Sequence, residues 1–154
     1  MTNLTISEIL KTLALDLTKK PPRSPRVTLQ GYVIAARLLD KCRAELNGTA
    51  GEYKYNSTLD TFFFDFTGIN EVDFKAFVAT GASDEEVAAW IATHTQQQSM
   101  EEIVKWNNHF RATMIKDLPA DLQVRLETYI QKNLPADAVV VFLFDMLEIE
   151  DKQL

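Results

Sequence analysis

The chain has 154 residues, 46% of them hydrophobic and 25% charged, with a formal net charge of −6. That length suits a single domain, residues 1–154, which can bury about two-thirds of the surface its unfolded chain exposes and needs no cross-links. Cys42 is the only cysteine, the longest apolar run (Ala138 to Phe144) is too short to cross a bilayer, and no basic patch leads into an apolar run at the N-terminus. An internal disulfide and membrane insertion are thereby excluded, and a cytoplasmic protein is expected.

Thr5-Ile6-Ser7-Glu8 is spaced as a capping box, in which a hydroxyl accepts from the N3 amide while Glu reaches back to the cap amide. Ile6, Ile9, Leu10, Leu13 and Leu17 then fall on one helical face. Pro21, Pro22 and Pro25 cannot continue a helix, so this stretch is a stiff, extended connector. From Gln30 to Asn47 the pattern is a long amphipathic helix with Tyr32, Ala35, Leu39, Cys42 and Leu46 as its apolar stripe and Gly48 as its stop. Tyr53-Lys54-Tyr55 alternates, which would allow a minor β ribbon near 52–56. Leu59 to Phe66 reads as a short buried helix ended by Gly68.

Asn70 with Asp73 is a weaker cap, and Ser83-Asp84-Glu85-Glu86 and Ser99-Met100-Glu101-Glu102 are two further capping boxes. Behind them lie the apolar faces Val87, Trp90, Ile91 and Ile103, Trp106, Phe110, Met114. Pro119-Ala120-Asp121, followed by Leu122, Leu126 and Ile130, and Pro135-Ala136-Asp137 both offer a preset φ and an early acid for the helix dipole. Residues 138–147 stay open. The β-branched and aromatic run 139–144 favours a strand, whereas the Pro-Ala-Asp start and the 140, 143, 144, 147 spacing favour a helix, the preferred reading. The sum is an all-α, single-domain bundle of about seven or eight helices.

Catalytic signatures are missing. There is no phosphate-binding glycine loop, GxSxG or zinc-binding Cys pair. His94 and His109 sit in separate helices without carboxylates at ligand spacing, so no metal or cofactor is expected. Cys42 lies on an apolar stripe and reads as a buried thiol. Phe62-Phe63-Phe64 with Phe66, Trp90 and Trp106 are read as core, although an exposed Phe of that run would mark a partner surface.

The distribution of charge is the informative feature. Residues 1–50 carry eight Lys/Arg against four Asp/Glu, residues 51–154 eight against eighteen. Between Lys19 and Arg43 seven cations accompany one anion, Asp40. An acidic remainder repels a long polyanion and no nucleic-acid motif is present, so nucleic acid is not the expected partner. A small anion or an acidic protein patch, including one of the same chain, suits those cations better. The connector restrains Arg23 and Arg26, while Arg37, Asp40, Lys41 and Arg43 cluster opposite the apolar stripe of the next helix. Glu52, Tyr53 and Asp60 follow, the acids of the group placed to orient the cations or act as general base.

Two arrangements satisfy this pattern. One is a solvated polar face with ion pairs that lock the connector to the bundle; the other is an anion-accepting pocket with Arg23, Arg26, Arg37 and Lys41 as donors. The leading functional expectation is a small anionic ligand, or a partner carboxylate, held over about residues 19–43. An interaction module using Phe62–Phe66 or Val139–Phe144, and a metal-independent enzyme with Glu52 or Asp60 as base beside Arg37, are the alternatives.

Pro22-Arg23-Ser24-Pro25-Arg26, Gly31-Tyr32, Arg37, Asp40-Lys41, Arg43-Ala44 and Gly51-Glu52-Tyr53 together resemble a bacterial family catalogued as domain of unknown function 5069. Leu59-Asp60, Phe66, Gly68 and Ser83 to Val87 with Trp90 continue the resemblance, which covers about residues 15–110 well and the C-terminal third loosely. The resemblance implies a small bacterial protein and brings no activity with it. Gln30 departs from the family pattern, where a second glycine is expected before Gly31.

Overall fold

The structure is a computed structural model, and it describes residues 3–152. Eight α-helices follow in chain order: α1 Ile6–Leu13, α2 Ala35–Asn47, α3 Thr58–Thr67, α4 Glu71–Val78, α5 Asp84–His94, α6 Met100–Arg111, α7 Ala120–Asn133 and α8 Leu143–Asp151. A single 3₁₀ turn, Ile115–Asp117, precedes α7, and the described residues contain isolated bridges but no strand. None of these helices is long and apolar enough to cross a membrane.

The helix starts obey local chemistry. Thr5 with Glu8, Ser83 with Glu86 and Ser99 with Glu102 each close a reciprocal capping box, and Asn70 accepts from the amides of Val72 and Asp73. Ser57 with Asp60 forms a fourth box that opens α3 and was not anticipated from the sequence. α1 is shorter than its apolar spacing suggests. It ends at Leu13, and Leu17 is buried from the turn beyond it, where its amide donates to the Thr49 carbonyl at 2.9 Å.

The second helix begins five residues later than expected. Leu29 and Tyr32 exchange two backbone hydrogen bonds of 3.1 Å around Gln30 and Gly31, whose φ values are +51° and +81°. Positive φ at both central positions is the signature of a tight hairpin turn, not of a helix. Asn107 from α6 clamps this turn: its side-chain oxygen accepts from Val33 N–H at 3.0 Å and its amide nitrogen donates to the Gly31 carbonyl at 2.7 Å. Ile34, a β-branched residue at φ +74°, completes the bend, fully buried and donating its N–H to the Pro25 carbonyl at 2.8 Å. Such a conformation costs on the order of 1–3 kcal/mol and persists because packing over-determines it. The connector is thereby tied to the start of α2.

α2 is the axle of the fold, buried from Ala35 through Ala44 on every side. Its apolar stripe meets the main core, where Leu38, Leu39 and Cys42 pack with Phe63, Phe64, Phe74, Val78, Val87 and Ile91. Each such side chain contributes about 1.5–3 kcal/mol by leaving water. Trp90 and Trp106 border that core, stacked on Phe77 and Phe66 respectively. A smaller cluster of Val33, Ile34, Phe110 and Phe144 joins the bend to α6 and α8.

Two further expectations are corrected. Residues 51–56 form turns and not a ribbon, because the two tyrosines leave in different directions: Tyr53 donates to Asp151 and Tyr55 to the Glu71 carbonyl. Pro135-Ala136-Asp137 is a turn, and residues 138–141 are irregular up to a bridge between Met114 and Phe142. α8 starts only at Leu143, with the Asp145 carboxylate accepting from the Phe142 amide at 3.2 Å. The 138–147 segment therefore divides, irregular first and helical after, since Val141 and Phe142 pair with the backbone of residues 114–115.

Candidate functional site

The polar face of α2 is not solvated. Arg37, Asp40, Lys41 and Arg43 are all buried, and other parts of the chain cover them. Arg23 reaches Asp40 with Nε and Nη2, each at 3.0 Å, while its backbone N–H donates to the same carboxylate at 2.8 Å. Its Nη1 donates to Asp84 at 2.9 Å, and Asp84 also accepts from Arg43 at 2.8 Å. Asp84, the first residue of α5, thus bridges the connector and α2. Burial raises its pKa, but hydrogen bonds from Arg23 and Arg43 outweigh that and hold the carboxyl below its ordinary value. Arg43 spends Nη2 on the Ala82 carbonyl and leaves Nε buried without an acceptor, a cost of about 1–3 kcal/mol.

Farther along, Arg37 grips Asp151 of α8 in a fork of 2.7 and 3.0 Å, the bidentate geometry that guanidinium favours. Tyr53 donates to the same carboxylate at 2.8 Å and lies under the Arg37 guanidinium, 5.5 Å from its ring centroid. Arg26 pairs with Asp145 and Glu148. Asp145, Glu148 and Asp151 are three residues apart, so one acidic stripe of α8 lies along the connector and α2. Lys41 spans both oxygens of Asp60, at 2.9 and 2.8 Å, and the Ser57 hydroxyl at 3.1 Å. Burial, aided by the Arg37 charge, pulls the Lys41 pKa below its ordinary value despite the opposing pull of Asp60.

Five cations, Arg23, Arg26, Arg37, Lys41 and Arg43, therefore meet six carboxylates, Asp40, Asp60, Asp84, Asp145, Glu148 and Asp151. The residues singled out from the sequence divide among three clefts. Arg23, Asp40 and Arg43 border one beside the start of α5, and Arg26 borders another against α8. Arg37, Lys41, Glu52 and Tyr53 share a third, of about 260 Å³, between α2, the 52–57 turns and α8. Asp60 stands behind Lys41, fully buried, with both oxygens engaged.

Lys54, Ser57 and Glu150 also line that third cleft and were missed. Asp84, Asp145, Glu148, Asp151 and Asn107 were missed as partners. The i, i+3, i+6 acids of α8 were visible as a stripe, but nothing local says which cations they meet. Burial raises the Glu150 pKa, and the adjacent Asp151 charge adds to it. Among the described residues no group of three or more His, Cys, Asp or Glu could hold a metal ion. His94 and His109 are exposed, the former stacked on Trp90 at 4.1 Å. Cys42 is buried, and burial pushes its thiol pKa up to about 12.

Fold and site define a class: an all-helical domain organised around a buried ionic network whose charges are met within the chain. The chain belongs to the family described as domain of unknown function DUF5069, whose model matches residues 19–153. The match extends the likeness through the C-terminal third, including α8. None of the curated proteins matches the chain.

Proposed function

We propose that this protein binds a small anionic molecule in the cleft between α2, the 52–57 turns and α8. The observation that carries the proposal is the convergence of Arg37, Lys41, Tyr53 and Lys54 on one concave wall. Arg37 Nη1 and Nη2 hold Asp151, while its Nε has no protein acceptor among the described residues and remains a donor for a ligand. A guanidinium already oriented by a carboxylate loses little freedom on binding, which favours affinity. The cytoplasmic setting belongs to the same proposal and is supported by the buried thiol of Cys42.

The test is thermal stability against a panel of phosphorylated and carboxylated metabolites, in wild type and in Lys54→Ala. Lys54 is exposed, so its removal leaves the fold intact. A bound anion at a hundred times its Kd stabilises by about 2.7 kcal/mol, and Lys54→Ala is expected to weaken that gain. A wild-type protein indifferent to every phosphorylated and carboxylated compound, amino acids included, refutes the proposal.

An interaction module is the second reading. Val139 and Val141 are 77% and 44% exposed in the irregular segment before α8, and Phe62 is 37% exposed while stacked on Phe110 at 5.0 Å. A protein that sediments as a strict monomer and captures no partner from host extract would end it. The enzymatic reading is narrowed to Glu52, exposed at the cleft beside Arg37, since Asp60 has no oxygen free of Lys41.

A further inference from the structure

The anion-binding cleft has a charge pattern that a plain anion does not satisfy. Arg37, Lys41 and Lys54 face it, but Asp151 and Asp60 stand directly behind the first two, and Glu52 and Glu150 share the lining. A carboxylate or phosphate entering alone meets four acidic side chains against three basic ones. A carboxylate that brings its own ammonium group does not suffer this, because the ammonium can take Glu150 or Glu52 while the carboxylate takes Arg37 Nε and Lys54. The rest of the wall is Leu59 and Leu147, an apolar strip suited to a short aliphatic chain. At about 260 Å³ the space lies below the roughly 300–1,000 Å³ of pockets for drug-sized ligands and fits a smaller molecule.

Building on the anion-binding reading, we infer that the ligand is a small zwitterion carrying a carboxylate and an ammonium a few bonds apart with an apolar side chain, of which an aliphatic α-amino acid is the simplest form. Glu150 adds to this reading as a half-buried carboxylate in the cleft lining. Burial and the Asp151 charge disfavour its ionised form, opposed by a hydrogen bond from Tyr129 and by the Arg37 charge, and a ligand ammonium beside it offsets that penalty. Lys41 spends its ammonium on Asp60 and Ser57, so the ligand carboxylate is left to Arg37 Nε and Lys54, with Lys41 adding only its charge to the same wall. Acidic and basic side chains flanking one small cleft suit a dipolar ligand.

Calorimetric titration of the full chain with the common α-amino acids identifies the tightest binder. That compound is then compared with its deaminated acid and its decarboxylated amine; for leucine these are 4-methylpentanoate and 3-methylbutylamine. The amino acid is expected to bind at least tenfold tighter than either analogue. Glu150→Gln, and Glu52→Gln at an exposed position, are expected to weaken the amino acid severalfold while leaving the acid analogue unchanged or tighter. If the acid binds as well as the amino acid, or anions bind and no amino acid does, the zwitterion inference is overturned and the anion proposal survives. If neither amino acids nor phosphate nor simple carboxylates bind, both fall.

Discussion

Lys41 and Asp60 offer the sharpest test of how the core of this domain is held together. Their side chains are 5% and 0% exposed, and Asp60 accepts from Lys41 Nζ with both oxygens and from the Ser57 amide at 3.1 Å. Lys41→Met keeps the aliphatic stem and removes the ammonium. Asp60 is then a buried carboxylate with the Ser57 amide as its one remaining donor, and breaking one side of a buried pair costs about 3–5 kcal/mol. Against a total of roughly 5–15 kcal/mol for a domain, that is about a fifth or more of the stability. Lys41→Met/Asp60→Asn removes both charges while leaving an oxygen for the Ser57 cap, so it is expected to recover about 2 kcal/mol or more of the loss. Urea unfolding of wild type, both single variants and the double variant gives the coupling directly. A Lys41→Met loss below about 1 kcal/mol, or purely additive variants, would refute the reasoning, because it would mean that water reaches the pair and screens it.

Other expectations follow from the same contacts. Asp84 has a folded pKa held below its ordinary value. Its stabilisation is therefore complete above the unfolded value near pH ~4 and is lost as pH falls through the lower folded value. Asp84→Asn should melt below wild type at pH 7, and the gap should narrow as pH falls below about 4; a gap independent of pH would contradict this. Cys42, with its thiol pKa pushed up to about 12 by burial, should not react with a thiol reagent at pH 8 until denaturant is added, when one equivalent titrates. Gln30→Gly should raise stability by about 0.5–1 kcal/mol, because Gln30 sits at φ +51° and a left-handed residue with a Cβ costs about 1–2 kcal/mol, partly offset by glycine's entropy. A loss on urea unfolding would show that the Gln30 side chain contributes to the turn.

Helix identity was legible wherever the signal was local. A hydroxyl three residues ahead of a glutamate states where α5 and α6 begin, and the aromatic run 62–66 with Gly68 states that α3 is buried and short. The late start of α2 was not legible in the same way. Tyr32 fits both the apolar stripe of a helix and the edge of a hairpin turn, and it is Asn107, seventy-odd residues away, that holds the turn. The candidate site shows the same division. Sequence alone identified Arg23, Arg26, Arg37, Asp40, Lys41, Arg43 and Asp60 as groups worth placing, since a cationic strap beside a charged helix face must meet something.

The primary structure by itself determined an α-helical domain and a concentration of positive charge ahead of an acidic remainder, because capping, apolar period and composition act over a few residues. Which carboxylate meets which cation was decided only by tertiary structure. Asp84 and Asp151 lie far along the chain from their arginines, and their pairing depends on how α5 and α8 pack against α2. Burial turned what reads as a solvated face into an internal ionic network, since a charge acquires its neighbours and its dielectric only when the chain has closed around it.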